Sequence, residues 1–108
     1  MNEQVRTDAR ATLAIINERG WLGGSAENQE GHVCLMRAAS IATTPHGSIP
    51  DFQRLDALQN ALARAAGIPA IGPDHSAADL QLLMRWNDTD GRTKKEVVDL
   101  LEKVATTA

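Results

Sequence analysis

The sequence predicts an all-α protein, a single small irregular bundle of four to five helices with a Gly-rich loop after the first helix. Apolar residues recur at spacings of three and four along most of the chain, as on the buried face of a helix. Aromatic residues make up only 3% of the chain, so the core must come from aliphatic side chains and alanine, and Ala and Leu favour helices. The length of 108 residues matches one domain over 1–108.

The first helix is predicted from about Asn2 to Arg19, and Gly20 is a typical residue to end it. Its apolar face is formed by Val5, Ala9, Thr12, Leu13 and Ile16. From Trp21 to Gly31 the chain holds three glycines among mostly polar residues, which predicts a loop or a short irregular hairpin.

The second helix is predicted over 32–43, and this run is apolar on nearly all sides, as expected of a central core helix. After a break at 44–49, Pro50 fits the first turn of a third helix, which continues to Ala66 and is closed by Gly67. The face predicted to be buried consists of Phe52, Leu55, Leu58 and Leu62.

The last two helices are predicted from their N-terminal signals. After a proline-containing connection at 68–75, Ser76 and Asp79 resemble a capping box and open a helix that ends in the turn 87–91. Thr93 and Glu96 form a second capping box, followed by an amphipathic final helix.

Charge and composition argue against several partner classes. The net charge of -3 arises from 11 basic and 14 acidic residues without a basic block, so no nucleic-acid partner is expected. No apolar run approaches the roughly 18 residues of a membrane span, and the polar N-terminus does not resemble a signal peptide. Cys34 is the only cysteine, which excludes an internal disulfide and favours a cytoplasmic location. We therefore expect a cytoplasmic protein without a membrane partner.

A catalytic cysteine is one interpretation of Cys34. A nearby imidazole would activate the thiol, and Asn87 or Asp88 would orient that imidazole. The candidate bases are His32, His46 and His75. The favoured interpretation is a packed thiol, since Cys34 lies between Val33 and Leu35, where a free cysteine behaves as a small apolar residue. The histidines lack the spacing of zinc ligands, so neither a metal site nor a cofactor is expected.

Tryptophans and glycines supply the candidate binding residues. Gly23 and Gly24 offer backbone amides to an anion, but the spacing of a phosphate loop is absent. Trp86, Asn87 and Asp88 form either an exposed anchor for a ligand or partner or a structural turn, and the structural interpretation is favoured. That interpretation places Trp86 in the core, Asn87 in a left-handed helix stop and Asp88 on the turn amides.

Trp21 is either a lid on the core or an exposed anchor for a partner. It directly follows the predicted helix stop, and tryptophan is enriched at the energetic centres of protein interfaces. If one feature marks a partner surface, the sequence favours Trp21 or its loop.

Three patches, Glu18–Trp21, Gly31–Leu35 and Trp86–Thr93, resemble a family of small uncharacterised domains found in actinobacteria and their phages. Its members typically show a Gly-Trp-Cys-x-Gly start, a Val-Cys-Leu helix and a Trp-Asn-Asp turn leading into Gly-Arg-Thr. The resemblance implies an actinobacterial or phage source and assigns no activity. Leu22 stands where many members have a cysteine, which leaves Cys34 without a partner for a paired-cysteine role.

The sequence thus predicts a non-enzymatic protein-binding module that docks through the 21–31 loop and the neighbouring helix faces. A phage origin would make a host protein its natural target. The alternative is a small cysteine-dependent hydrolase or transferase that uses Cys34 with a histidine and Asn87 or Asp88. A third possibility is an obligate homodimer.

Overall fold

The computed structural model describes residues 3–23, 28–45, 47, 49–68 and 76–107. This part of the chain forms α1 (Glu3–Arg19), α2 (Leu35–Ala42), α3 (Phe52–Ala65), α4 (Ser76–Asn87) and α5 (Lys94–Thr107). Its extended pairing consists of one isolated parallel bridge between Trp21 and Val33. The predicted all-α bundle is therefore confirmed.

The helices pack around one aliphatic core. α1 lies against α2, α3 and α5, and α3 lies against α4 and α5. The radius of gyration of 12.6 Å is close to the roughly 13 Å of a folded domain of about 100 residues. Fully buried apolar side chains come from every helix and from the 33–35 segment; they include Ile16, Val33, Leu35, Leu58, Leu62, Leu83, Val97 and Leu101. Among the described residues, no helix combines the length and apolar character needed to cross a bilayer.

The first helix ends at Gly20, as predicted. Gly20 has a φ of +94°, and its amide donates to the carbonyl of Ile16 at 2.8 Å. A Cβ atom at this position would lie 2.6 Å from Cδ2 of His32. Both the left-handed backbone and the close imidazole therefore require glycine here.

The second helix begins three residues later than the predicted start at His32. Val33 instead pairs with the loop after α1, donating to the carbonyl of Gly20 and accepting from the amide of Leu22, both at 2.9 Å. Cys34 has an extended backbone with φ -77° and ψ 167° and precedes α2 as its N-cap. The early start was wrong because an apolar run does not distinguish a buried extended segment from a buried helix.

The third helix is capped by Asp51, which follows Pro50. The Asp51 carboxylate accepts from the amides of Gln53 at 3.1 Å and Arg54 at 3.2 Å. Pro50 therefore lies outside the helix, not in its first turn. Phe52, predicted on the buried face, is 62% exposed. Helical side chains lean toward the N-terminus, so the first residue of a helix reaches past the packed body.

The capping box of the last helix is confirmed. The Thr93 amide donates to Oε1 of Glu96 at 3.0 Å, and the Glu96 amide donates to Oγ1 of Thr93 at 3.3 Å. The backbone hydrogen bond from Thr93, aided by Arg92, lowers the pKa of the Glu96 carboxyl. The side chains of the other predicted box, Ser76 and Asp79, lie outside the described part of the chain.

A buried ion pair joins α1 to α3 and was not predicted. The carboxylate of Asp8, 1% exposed, accepts from the Arg54 guanidinium through Nη2 at 2.6 Å and Nε at 3.2 Å. Gln4 donates to the same carboxylate at 3.0 Å. This fork geometry satisfies the buried charge and fixes how the two helices meet.

Candidate functional site

The side chain of Asn87, at the C-terminal end of α4, makes four hydrogen bonds. Its Oδ1 atom accepts from the indole N–H of Trp21 at 2.7 Å and from the amide of Leu35 at 3.1 Å. Its Nδ2 atom donates to the carbonyl of Leu22 at 3.2 Å and to Oδ1 of Asp88 at 2.9 Å. The side chain is 1% exposed, and these bonds use both donors and both acceptor positions of the amide. We call Asn87 and its four partners, Trp21, Leu22, Leu35 and Asp88, the Asn87 hub.

The hub joins three segments that are distant in sequence: the loop after α1, the start of α2 and the end of α4. The first amides of a helix have no partner within it, and Asn87 satisfies the one at Leu35. Cys34 satisfies another, because its Sγ atom accepts from the amide of Arg37 at 3.3 Å. The N-terminus of α2 is thus capped by two side chains.

The backbone of the turn after α4 differs from the one predicted by the structural interpretation of the sequence. None of the described non-glycine residues has a positive φ, so the predicted left-handed Asn87 is wrong, and Gly91 takes that conformation with a φ of +82°. The Asp88 amide continues the helical pattern by donating to the carbonyl of Met84 at 3.0 Å. Because its backbone stays helical, Asn87 keeps its side chain directed at the hub.

Trp86 is held by Arg92 across this turn. The guanidinium carbon lies 4.0 Å from the centre of the indole ring, and Nε donates to the carbonyl of Trp86 at 2.9 Å. Nη1 of Arg92 also donates to Glu96 at 2.9 Å, which links the turn to α5. A cation–π contact of this kind contributes about 0.5–1 kcal/mol at exposed sites. Half-buried Trp86 packs against the core and supports the α4–α5 corner.

Trp21 is also half-buried against the core, with its polar atom bound to Asn87. Gly23 lets the chain pass close to the indole, since a Cβ atom there would lie 3.3 Å from Cη2 of Trp21. Gly24, the other glycine predicted to bind, lies outside the described residues. The described contacts of Trp21 are those of a residue that closes the loop onto the bundle.

The residues of the predicted cysteine centre meet only in part. The Asn87 side chain reaches from the end of α4 to the start of α2, where Cys34 lies, but the hydrogen-bonding positions of its amide are used within the hub. Cys34 is 9% exposed. His32 is half-buried in the loop, with Nδ1 3.4 Å from Nδ2 of Asn28. The candidate bases His46 and His75 lie outside the described residues. Within the described ranges, no three His, Cys, Asp or Glu side chains form a group able to hold a metal.

A second region, which the sequence interpretation missed, lies between α2 and α3. The Asp51 amide donates to the carbonyl of Thr43 at 2.6 Å and draws the two helix ends together. Beside this closure, the side chains of Ile49 and Phe52 are 66% and 62% exposed. We call these two side chains the Ile49–Phe52 surface. No periodic pattern marks Ile49, so sequence alone offered no signal for it.

A groove of about 270 Å³ lies along α2 next to this surface. We call it the α2 groove. The described residues that line it are Arg37, Ser40, Ile41, Thr44, Gly47 and Pro50. Pro50, which lines the groove, lies between Ile49 and Phe52 in the sequence.

In the part of the chain that the structure describes, five helices pack around an aliphatic core, and the buried side chain of Asn87 joins three segments. This arrangement is that of a small all-α domain. The chain belongs to a family of unknown function, DUF6197, whose model matches residues 1–107. This membership confirms the resemblance to an uncharacterised family. No curated protein and no solved structure matches the chain.

Proposed function

We propose that this chain is a non-enzymatic protein-binding module and that it docks through the Ile49–Phe52 surface. The observation that carries the proposal is the exposure of Ile49 and Phe52, three positions apart and more than 60% exposed each. Covering a large apolar side chain in an interface is worth about 1.5–3 kcal/mol. This free energy is not gained while the two side chains remain exposed to water.

The backbone at Asp51, next to Phe52, is held by hydrogen bonds before any partner arrives. The Asp51 amide donates to the carbonyl of Thr43, and the Asp51 carboxylate caps α3, which begins at Phe52. Such preorganisation strengthens binding because little conformational entropy is lost on docking. Single exposed apolar residues are common, whereas neighbouring exposed apolar residues that form a patch mark an interaction site. Ile49 and Phe52 are neighbours in sequence, separated by Pro50 and Asp51.

This proposal moves the docking surface away from the 21–31 loop. Trp21, the anchor favoured by the sequence, donates its indole N–H to buried Asn87, and Trp86 lies beneath Arg92. These contacts give both tryptophans an architectural role. We also propose that the module is cytoplasmic and acts on another protein. If it is encoded by a phage, that protein belongs to the host.

The test compares two variants of the tagged chain in affinity capture with crosslinking from cells of the source organism. The Ile49→Ser/Phe52→Ser variant removes the proposed surface. Met84→Ser is the matched control, because Met84 is also exposed, at 46%, but lies on α4. We expect one captured protein to be lost by the double variant and retained by Met84→Ser, with unchanged circular dichroism for both. Equal retention by both variants would contradict the proposal.

The test also distinguishes a second copy of the chain as the partner. If the surface mediates self-association, the crosslinked product is a dimer of the chain itself. Sedimentation would then show a dimer for the natural sequence and a monomer for Ile49→Ser/Phe52→Ser. That outcome would favour the homodimer alternative over a module that binds another protein.

The competing proposal is a hydrolase or transferase that uses Cys34. Its support is the position of the thiol at a helix N-terminus, where thiolates are stabilised. A maleimide reagent separates the two proposals across the pH range in which thiols ionise. Labelling only in denaturant is the result expected of a binding module with a packed thiol. Fast labelling of the native protein would favour the enzyme.

A further inference from the structure

Asp56 places a negative charge beside the Ile49–Phe52 surface. Phe52 and Asp56 are four residues apart on α3, and residues at this spacing are neighbours on the surface of a helix. Helical side chains lean toward the N-terminus, so the half-buried side chain of Asp56 is directed toward Phe52. Its carboxylate has no hydrogen-bond or ion-pair partner among the described residues. A carboxylate next to the exposed phenylalanine is therefore available to a partner.

The other charges close to this surface leave it anionic. The charged residues of the segment 49–57 are Asp51, Arg54 and Asp56. Arg54 donates to the buried carboxylate of Asp8 through Nη2 at 2.6 Å and Nε at 3.2 Å, so its positive charge is offset within the chain. Asp51, the cap of α3, adds a second carboxylate at the start of the helix. Arg37, in the lining of the α2 groove, already makes an interaction within the chain.

We infer that the occupant of the Ile49–Phe52 surface is a segment of another protein that carries a Lys or Arg next to a large apolar residue. This inference rests on the proposed function. The apolar side chain packs against Ile49 and Phe52, and the cation pairs with the Asp56 carboxylate. Complementary charges of this kind select the partner and speed association. Because Asp56 is half-buried, salt screens such a pair less than a fully exposed one.

The same charges disfavour other occupants. The phosphate groups of a nucleic acid or of an anionic membrane bind to basic residues and would be repelled by Asp51 and Asp56. A second copy of the chain that docks by two-fold symmetry presents the same patch to itself, so the two Asp56 carboxylates would approach each other. Like charges placed together across an interface oppose association. The chemistry of the surface therefore favours a basic segment of a different protein.

Selection from a displayed library of random peptides tests the inference. The baits are the natural chain, Asp56→Lys, Asp56→Asn, Ile49→Ser/Phe52→Ser and, as a matched control, Asp90→Lys. Asp90→Lys makes the same change in net charge at an exposed aspartate of the α4–α5 turn. Lysine favours helices more than aspartate does, and the positions three and four residues from 56 hold no charge, so Asp56→Lys should fold. Asp56→Asn keeps the shape of the side chain and tests the charge alone.

The natural chain and Asp90→Lys should select peptides with Lys or Arg beside a large apolar residue. These peptides should bind Asp56→Asn about threefold to fivefold more weakly, as expected for one lost ion pair near the surface. Asp56→Lys replaces attraction by repulsion, so its binding should be weaker on the order of tenfold. The peptides should not bind Ile49→Ser/Phe52→Ser.

The outcomes separate this inference from the proposed function. Selected peptides without a basic preference, or with unchanged binding to Asp56→Asn and Asp56→Lys, would overturn the inference of a basic partner and leave the docking surface in place. Binding that survives Ile49→Ser/Phe52→Ser, or a selection that yields no binding peptide, would overturn the proposed function as well.

Discussion

The Asn87 hub and the Ile49–Phe52 surface both invert the usual relation between residue type and burial. In the hub, a polar amide is buried and all of its hydrogen-bonding positions are used. At the surface, two large apolar side chains are exposed to water. The first arrangement favours stability, and the second favours association. The comparison teaches that Trp86 and Asn87, which the sequence offered as candidate binding residues, make contacts that stabilise the fold.

The largest effect is expected from removing the hub. Asn87→Ala leaves the Trp21 indole N–H, the Leu35 amide and the Leu22 carbonyl without their partner. Each buried polar group left unpaired costs about 1–3 kcal/mol, so the free energy of unfolding should fall by about 3 kcal/mol or more. Urea unfolding followed by circular dichroism measures the change. Asp88→Ala, which removes one hub bond at an exposed residue, is the control and should cost much less. A loss below about 1 kcal/mol for Asn87→Ala would show that the hub is not structural.

A smaller effect is expected from Trp21→Phe, which removes the indole N–H together with part of the ring that packs against the core. Asn87 would retain the Leu35 amide as a donor to Oδ1. The free energy of unfolding should fall by about 1 kcal/mol, the usual net value of one hydrogen bond, and by a further amount for the lost packing. The same urea titration measures it. An unchanged midpoint would mean that the 2.7 Å contact contributes little to stability.

A still smaller, pH-dependent effect is expected at Glu96, which connects Arg92 of the α4–α5 turn to the cap of α5. The hydrogen bond from the Thr93 backbone lowers the pKa of Glu96 below its unfolded value. The stabilisation is therefore complete above the unfolded pKa and is lost as the pH falls through the folded pKa. Thermal unfolding from neutral to acidic pH should show a steeper loss for the natural chain than for Glu96→Gln. Parallel curves would contradict the cap.

The smallest effect on stability is expected at the surface. Ile49→Ser/Phe52→Ser exchanges side chains that are mostly exposed in the folded chain, so the urea midpoint should stay within the range of ordinary surface substitutions, about 0.5 kcal/mol. The Thr43–Asp51 closure and the Asp51 cap remain in this variant. A large loss of stability would indicate that the two side chains support the fold and are not a docking surface.

The sequence predicted the parts of this molecule that local chemistry determines. Gly20 ends α1 because its backbone is left-handed, and Thr93 with Glu96 caps α5. Both follow from rules that act over a few residues. The predicted start of α2 was wrong because the apolar run also includes Val33, whose extended backbone pairs with Leu22 and Gly20.

The tertiary features could not be predicted in the same way. The sequence marks Asn87 as a candidate site residue, but its bond to Trp21 spans 66 positions and leaves no local signal. Asp8 offered a weak signal, since it lies beside Ala9 on a buried face, yet its partner Arg54 is 46 positions away. Phe52 has the correct spacing for burial, but it is the first residue of α3 and is 62% exposed.

The most direct measurement captures the partner with Ile49→Ser/Phe52→Ser and with Trp21→Phe under identical conditions. Both variants should remain folded, and only the first alters the proposed docking surface. We expect Trp21→Phe to retain the captured protein and Ile49→Ser/Phe52→Ser to lose it. Loss by Trp21→Phe with retention by the double variant would contradict the account and return the binding site to the 21–31 loop.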